Sequence, residues 1–240
     1  MSKLITALLL IFMLVSVAVV SQLQPEGPII SFNRSENATA KPATAITTAG
    51  GTFTTLVLNA SSQNFRWKAY VGNITGSLAL ADSIGYKIYD WNLVTLGGEI
   101  YLSRNNSLNW SAVRCADNAS IAAEETILNI TQGRIDSINN TFNNSIHKEF
   151  YTGQVQINQS TCPSIITFVG GTRQTQNTTS VFQEILLKDD KLRLIYATPI
   201  EEDQLGYFQG ARFDFQMIAP DYGKDGISDI VTYYMFVELS

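Results

Sequence analysis

The stretch EILLKDDKLRLIYATPI, residues 184–200, decides the fold class of this chain. Two apolar, β-branched runs flank the charged residues 188–190, which are typical of a tight turn. Comparable runs follow in ARFDFQMIAP at 211–220 and VTYYMFVELS at 231–240, with a longer turn over 220–229. Short runs bounded by turn residues predict antiparallel strands. Three of them could run as a meander, over 191–199, 211–219 and 231–239.

The stretch FRWKAYVGNITG, residues 65–76, predicts a strand followed by a turn that carries a glycan. Side chains alternate between the two faces of a strand, so Trp67 would lie in the core while Arg66 and Lys68 face solvent. Asn73 opens an Asn-x-Thr triplet within the glycine-bracketed turn. The return strand would turn two leucines inward, Leu78 and Leu80.

These patterns together predict one mainly β domain over residues 52–240, an antiparallel β-sandwich of immunoglobulin-like or jelly-roll-like type. Its first strand would open with Phe53, Leu56 and Leu58. Residues 103–148 interrupt the strand pattern, and we interpret them as a surface excursion. They contain the best helix-forming stretch, NASIAAEETILN at 118–129, which Asn118 can cap.

The chain has two cysteines, Cys115 and Cys162, and we expect them to form a disulfide that holds the excursion to the sheet. Closing a loop of about 48 residues would contribute roughly 4 kcal/mol of stability on the chain-entropy model. Two buried free thiols are the alternative.

The N-terminal residues 1–23 predict a hydrophobic helix that exports the chain. The apolar run from Leu4 to Val20 fits either a long signal peptide or a membrane anchor that is retained. Residues 24–51 are rich in Ser, Thr and Ala and predict an extended stalk. Either way the β domain would lie outside the cell, and a retained segment would make the membrane a partner.

Composition argues against nucleic-acid binding. Charged residues make up 15% of the chain, the net charge is -5, and no basic run follows Lys3. Binding to a phosphate backbone depends on clustered Lys and Arg. No cofactor-binding motif is visible in the sequence, so we expect no cofactor.

Asn-x-Ser/Thr triplets (sequons) are in excess. Twelve of the seventeen asparagines open one, whereas chance would supply about three, because Ser and Thr make up roughly one residue in six. The excess predicts N-glycosylation of an exported surface, although a composition rich in Asn, Ser and Thr is an alternative. The twelve are Asn33, Asn37, Asn59, Asn73, Asn105, Asn109, Asn118, Asn129, Asn139, Asn143, Asn158 and Asn177. The last 60 residues contain no asparagine, so we expect core strands or a covered face there.

Candidates for catalysis are few, and we expect no enzymatic activity. His147 is the only histidine, and its setting in NNSIHKEF predicts a surface position. Paired carboxylates perform glycoside hydrolysis, but adjacent acids usually point apart. A glycoside-active enzyme is therefore the least favoured alternative. The adjacent acids are Glu124 and Glu125, Asp189 and Asp190, and Glu201, Glu202 and Asp203.

The segment DYGKDGISD, residues 221–229, partly resembles a calcium loop. Asp221, Asp225 and Asp229 would supply oxygens, but Gly223 and Thr232 stand at two positions that need an oxygen-bearing side chain. In a meander, the acids at 201–203 would lie at the opposite end of the intervening strand. We therefore favour a plain turn, with a calcium site as the weak alternative.

The aromatic residues of IGYKIYDW, residues 84–91, offer a possible ligand platform. Tyr89 and Trp91 lie on the face opposite Tyr86 and Ile88. Packing against a second sheet is the favoured interpretation. An exposed platform that stacks on sugar rings is the alternative.

Four features of the chain together resemble a group of exported archaeal cell-surface proteins. They are FRWKAYVGNITG, YKIYDW, the sequon-rich excursion that bears a cysteine, and the ending FDFQMIAP…TYYMFVEL. The resemblance covers nearly the whole chain after the leader. It implies architecture and location, and it brings no reaction and no catalytic residues.

The sequence thus predicts a non-catalytic, N-glycosylated cell-surface protein with a structural or interaction role in the envelope. Other envelope proteins and surface glycans are its expected partners. One alternative is a carbohydrate-binding or adhesion module. Another is a filament subunit that donates the apolar segment GPIISF, residues 27–32, to a neighbour's sheet edge.

Overall fold

The computed structural model describes residues 24–31, 33–39, 42–91, 93, 95–222 and 231–240. The strands are β1 (Trp67–Gly72), β2 (Leu78–Ala81), β3 (Lys87–Trp91), β4 (Gly98–Ser103), β5 (Arg114–Cys115), β6 (Phe150–Thr152), β7 (Val155–Ile157), β8 (Ser164–Ile166), β9 (Gln183–Lys188), β10 (Leu194–Pro199), β11 (Gln204–Leu205), β12 (Arg212–Phe213), β13 (Phe215–Pro220) and β14 (Tyr234–Leu239). The described residues also form two short helices, α1 (Asn118–Ile127) and α2 (Ile138–Thr141), and a 3-10 turn (Trp110–Ala112), so this part of the chain is mainly β.

A six-stranded antiparallel sheet organises the molecule, in the order β14-β4-β10-β9-β5, with β8 beside β5 on the same edge of β9. β9 and β10 form the expected hairpin. The carboxylate of Asp189 accepts hydrogen bonds from the backbone N–H groups of Lys191 (2.9 Å) and Arg193 (3.1 Å), which holds the turn. Every residue of β9 and β10 is buried because both strands are central to this sheet.

The last three apolar stretches do not form a meander. β10 pairs with β9 and β4, β13 pairs with β1, and β14 pairs with β4. β10 is apolar or buried at every position, so it needs a strand on both edges, and β4 supplies the second. A local hydrophobic pattern identifies a strand but does not select its partner.

Two cores lie on the two faces of the central sheet. The helix-side core is covered by α1, α2 and the β1–β13 pair, and it includes Ile100, Leu102, Ile121, Leu128, Phe142, Leu186, Leu194, Tyr196 and Met217. The disulfide-side core includes Tyr101, Trp110, Phe150, Ile157, Cys162, Ile185, Leu187, Ile195 and Ala197. Alternation along β4 and β10 sends successive side chains to opposite cores, as a strand covered on both faces requires.

Residues 103–148 are not a surface excursion. They supply β5 to the central sheet, and Ile121, Leu128 and Phe142 from this segment are buried in the helix-side core. The disulfide between Cys115 and Cys162 is present, with 4.8 Å between the two Cα atoms. It joins β5 to the segment before β8, so it ties together two strands that share one edge of β9.

The cap of α1 also differs from expectation. Asp117, not Asn118, is the N-cap, because its carboxylate accepts the Ser120 N–H (3.0 Å) while the Ser120 hydroxyl accepts the Asp117 N–H (3.0 Å). This reciprocal pair satisfies two backbone donors at the helix start. Asp117 also forms an ion pair with Lys188 of β9, which anchors the helix start to the sheet.

β1 departs from its expected surroundings. It pairs with β13 and not with β2, and Trp67 is half-buried against the helix-side core, its Nε1–H donating to the Asp136 carbonyl (2.9 Å). Arg66 and Lys68, expected in solvent, are half-buried, and each forms an ion pair, with Asp136 (3.3 Å) and Asp221 (2.7 Å) respectively. The strand lies over the edge of the core, so its charged side chains fold back onto partners.

The segment before β1 is extended. Glu26 exchanges two backbone hydrogen bonds with Val237 on the open edge of β14, and residues 52–64 contain no strand although Phe53 was expected to open one. Residues 1–23, where the signal peptide or anchor was expected, lie outside the described residues. In the part of the chain that is described, no helix has the length and hydrophobicity to cross a membrane.

Candidate functional site

A cleft of about 290 Å³ opens at the end of the central sheet where β4 and β14 pair. Its lining includes Glu99, Glu238, Lys148, Phe150 and Tyr151. Glu99 and Glu238 stand directly opposite each other in the register of the two strands. Side chains in such a cross-strand pair lie on the same face of the sheet, so the two carboxyl groups share the cleft.

The two carboxyl groups differ in their hydrogen bonding. Glu238 is buried and accepts hydrogen bonds from the Tyr101 hydroxyl (3.1 Å) and the Gly153 N–H (2.9 Å). Burial, together with the neighbouring Glu238 charge, raises the pKa of Glu99 to about 8. Glu99 therefore keeps its proton at neutral pH, because burial and the neighbouring carboxylate both disfavour its charged form.

Lys148 supplies the positive charge at the cleft. Its ammonium group forms an ion pair with Glu201, and its backbone N–H donates to the Gln183 side chain (2.7 Å). A buried carboxyl with a raised pKa is a group that enzymes use for acid–base chemistry. Here, however, Glu238 and Lys148 already have structural contacts. The Glu238 oxygens hold β14 to the β6–β7 turn, and the Lys148 ammonium is paired with Glu201 in the segment after β10. The cleft is best explained as a structural junction.

Sequence reasoning missed this pair because Glu99 and Glu238 are far apart in the chain. One feature of the sequence did indicate buried carboxyl groups at these positions. Each glutamate occupies an inward position, two residues from Tyr101 and Phe236, which face the disulfide-side core. A charged residue in phase with buried aromatic residues indicates a buried carboxyl.

His147 is buried, which corrects its expected surface position. Its Nε2 accepts hydrogen bonds from the backbone N–H groups of Thr161 (3.1 Å) and Cys162 (2.9 Å), so Nδ1 carries the proton and donates to the Lys148 carbonyl (2.8 Å). Burial lowers the pKa of the imidazole. Both nitrogens of the neutral ring are therefore used to hold backbone groups, at Lys148 and at Thr161 and Cys162.

The adjacent acids make separate contacts and do not converge on one site. Glu124 forms a two-pronged ion pair with Arg104 (2.6 and 2.8 Å). Glu125 accepts the backbone N–H of Asn139 (3.0 Å), and Asp189 holds the β9–β10 turn. Glu202 accepts the backbone N–H of Leu96 (3.2 Å). Glu201 and Asp203 form ion pairs, with Lys148 and with Arg212 (3.4 Å) respectively.

The calcium candidate is only partly visible. Asp221 forms an ion pair with Lys68, while Asp225 and Asp229 lie outside the described residues. Within the described ranges, no three His, Cys, Asp or Glu side chains come together in a way that could hold a metal ion.

The hairpin formed by β2 and β3 presents an apolar face to solvent. Its register places Leu78 opposite Trp91 and Leu80 opposite Tyr89, so all four project from one face. Tyr89 and Trp91 are 60% and 49% exposed, and their rings meet edge-on with centroids 5.1 Å apart. The expected packing of Tyr89 and Trp91 against a second sheet is therefore wrong, because about half or more of each side chain is exposed.

The twelve sequon asparagines are all accessible. Ten are exposed and two, Asn105 and Asn109, are half-buried. They lie in loops, at helix ends and in the extended N-terminal segment, and none lies in a strand. Asn73 follows β1 directly, as expected, so a glycan there would project without breaking a strand ladder.

No family model, no curated protein and no solved structure matches this chain.

Proposed function

We propose that this chain is an exported, N-glycosylated protein of the cell surface with a structural or interaction role in the envelope. The observation that carries the proposal is that all twelve sequon asparagines are accessible, nine of them in the folded region that begins at β1. An N-glycan acceptor must reach solvent, so the accessibility of these asparagines meets what glycosylation requires.

The disulfide supports the same compartment. Disulfides persist in oxidising surroundings and are rare in the cytosol, and here Cys115 and Cys162 are joined within the fold. The proposed architecture is an N-terminal signal or anchor, an extended stalk and a β-sandwich in which the β1–β13 pair lies over the central sheet. The resemblance to exported archaeal surface proteins points to the same location.

Protein isolated from its native host gives the test. Chemical deglycosylation should reduce its intact mass by several glycans, and peptide mapping should place them on sequon asparagines. Unmodified peptides at all twelve sequons in native material would contradict the proposal.

A carbohydrate-binding or adhesion role is the second candidate, favoured by the exposure of Tyr89 and Trp91. Aromatic side chains stack on the apolar faces of sugar rings, and the perpendicular arrangement of these two rings would offer one flat face and one edge. A glycan array probed with the native protein and with Trp91→Ala distinguishes this role. Binding that the substitution abolishes supports it, and no binding to any glycan contradicts it.

A further inference from the structure

An apolar segment without a partner lies between the stalk and the first strand. Residues 53–58, FTTLVL, contain no charge, no proline and no glycine. Phe53 is 98% exposed and Val57 is 97% exposed, and no backbone hydrogen bond of residues 53–58 is formed within the described chain. A six-residue segment of this composition has a strong tendency to pair as a β-strand and to aggregate when it is left exposed.

A sheet without a partner lies in the same chain. The β2–β3 hairpin exposes Leu80, Tyr89 and Trp91 on one face, and its outer edges pair with no other described strand. Two-stranded hairpins are marginally stable alone in water, and a third strand usually completes them. The hairpin is nevertheless well formed at its tip, where the Asp82 carboxylate accepts the N–H groups of Ile84 (3.0 Å) and Tyr86 (2.8 Å).

Neither segment contains a sequon. Sequons occur at Asn59 and Asn73 but not within 53–58, and none occurs between Asn73 and Asn105. A glycan on either segment would block a strand from adding to it, so the sequon positions are compatible with pairing of both segments.

We propose that the FTTLVL segment of one copy of this chain adds as a strand to the β2–β3 hairpin of a second copy. The added strand would gain main-chain hydrogen bonds at the hairpin edge and bury apolar side chains against Leu80, Tyr89 and Trp91. Donor and acceptor are different surfaces, so the contact is head-to-tail and each added copy presents a new donor and a new acceptor. The single chain leaves its own segment unpaired, which favours a second copy as the occupant.

This inference does not depend on whether the sequons carry glycans. Its donor, residues 53–58, differs from residues 27–32, the donor considered from the sequence. Glu26 already bonds to β14 in its own chain. Pro28 would fall at the next position that faces the edge of β14, where it has no N–H to donate, so pairing cannot continue along that edge.

The test measures assembly of the full-length protein from its host by sedimentation velocity across a range of concentrations, in mild detergent if the N-terminal segment is retained. The wild type should form a concentration-dependent series of dimers and larger species. A donor variant, Val57→Asp with Leu58→Asp, and an acceptor variant, Leu80→Asp, should each sediment as one copy. Ile135→Asp, a change at another exposed isoleucine, is the matched control and should assemble as the wild type does.

Mixing gives the decisive readout. The donor variant keeps its hairpin and the acceptor variant keeps its segment, so an equimolar mixture should form a species of two copies and stop there. A wild type that stays a single copy at every concentration overturns the proposal. So does a mixture that forms no two-copy species, or a control that loses assembly as the variants do. If the wild type is a single copy and its hairpin amides are protected from hydrogen exchange, the segment pairs within its own chain, which also overturns the proposal.

Discussion

The imidazole of His147 accepts a hydrogen bond from the backbone N–H of Cys162, at 2.9 Å. The chain's single histidine is thereby coupled to its single disulfide. The neutral ring is required for this contact, because a proton on Nε2 would remove the acceptor and place a charge in a buried position.

Acid should therefore weaken the fold through His147. Its pKa is lowered by burial from an ordinary value near 6.5, so the unfolded chain binds the proton more readily than the folded one. The contribution is complete above pH 6.5 and is lost as the pH falls from there toward the folded pKa, by at most about 1.4 kcal/mol per pH unit. The imidazole NMR signals of the single histidine should titrate below 6.5. A midpoint at or above that value would contradict the buried neutral ring.

Glu99→Gln should reduce the loss of stability that the wild type shows as the pH rises. The folded pKa of Glu99 is raised to about 8 from 4.5 by burial and by Glu238, so the folded state holds a proton that the unfolded state has released. The contribution of Glu99 is complete below pH 4.5 and is lost as the pH rises toward 8, by at most about 1.4 kcal/mol per pH unit. Gln cannot ionise, so chemical denaturation of the variant should show a smaller decline over that range. Glu149→Gln, at an exposed position on the same cleft, should leave the decline as it is. Equal profiles for wild type and Glu99→Gln would show that Glu99 ionises normally.

Glu124→Gln should destabilise the fold by about 3 kcal/mol, the typical cost of leaving a half-buried guanidinium without its ionic partner. Glu124 is buried, and both of its oxygens accept from Arg104 across the helix-side core. Asp90→Asn removes one side of the exposed Lys87–Asp90 pair and should cost less than about 1 kcal/mol. Urea denaturation of both variants gives the comparison, and equal losses would show that the Arg104–Glu124 pair is not specially buried in solution.

Replacing both cysteines, Cys115→Ala with Cys162→Ala, should cost about 2–4 kcal/mol of stability. The bond closes a loop between residues 47 apart and holds β5 near the segment before β8. The wild type in reductant should unfold at the same denaturant concentration as the double variant. Free thiols in native protein, shown by alkylation without a reductant, would remove the basis of this prediction.

Local pattern predicted several elements of this fold. β9, β10, β13 and β14, the helix α1 and the Cys115–Cys162 bond were all visible from runs, propensity and cysteine parity. Strand partners were not, because the pairing of β10 with β4 depends on contacts nearly a hundred residues apart. The burial of polar residues was not predicted either. His147 lies in a polar, sequon-bearing stretch, and only the folded backbone around Cys162 shows why it is buried.

The face of β1 was misjudged for a related reason. Alternation along FRWKAYV correctly placed Trp67 toward the core, yet Ala69 and Val71 in the same phase are exposed. Tyr70, in the opposite phase, packs against the helix-side core and stands opposite the buried Met217 of β13, so it is this phase of β1 that follows the core. Periodicity indicates that side chains share a face, while the face that meets the core is decided by the other elements.

Intact-mass spectrometry of the protein from its native host, before and after chemical deglycosylation, tests the central claim most directly. The whole chain has a mass of 26.5 kDa. An exported glycoprotein should show a heterogeneous mass above that of its processed chain and collapse to a single lower mass after deglycosylation, with the lost mass mapping to sequon asparagines. A single mass equal to that of the bare polypeptide, unchanged by the treatment, would contradict the claim.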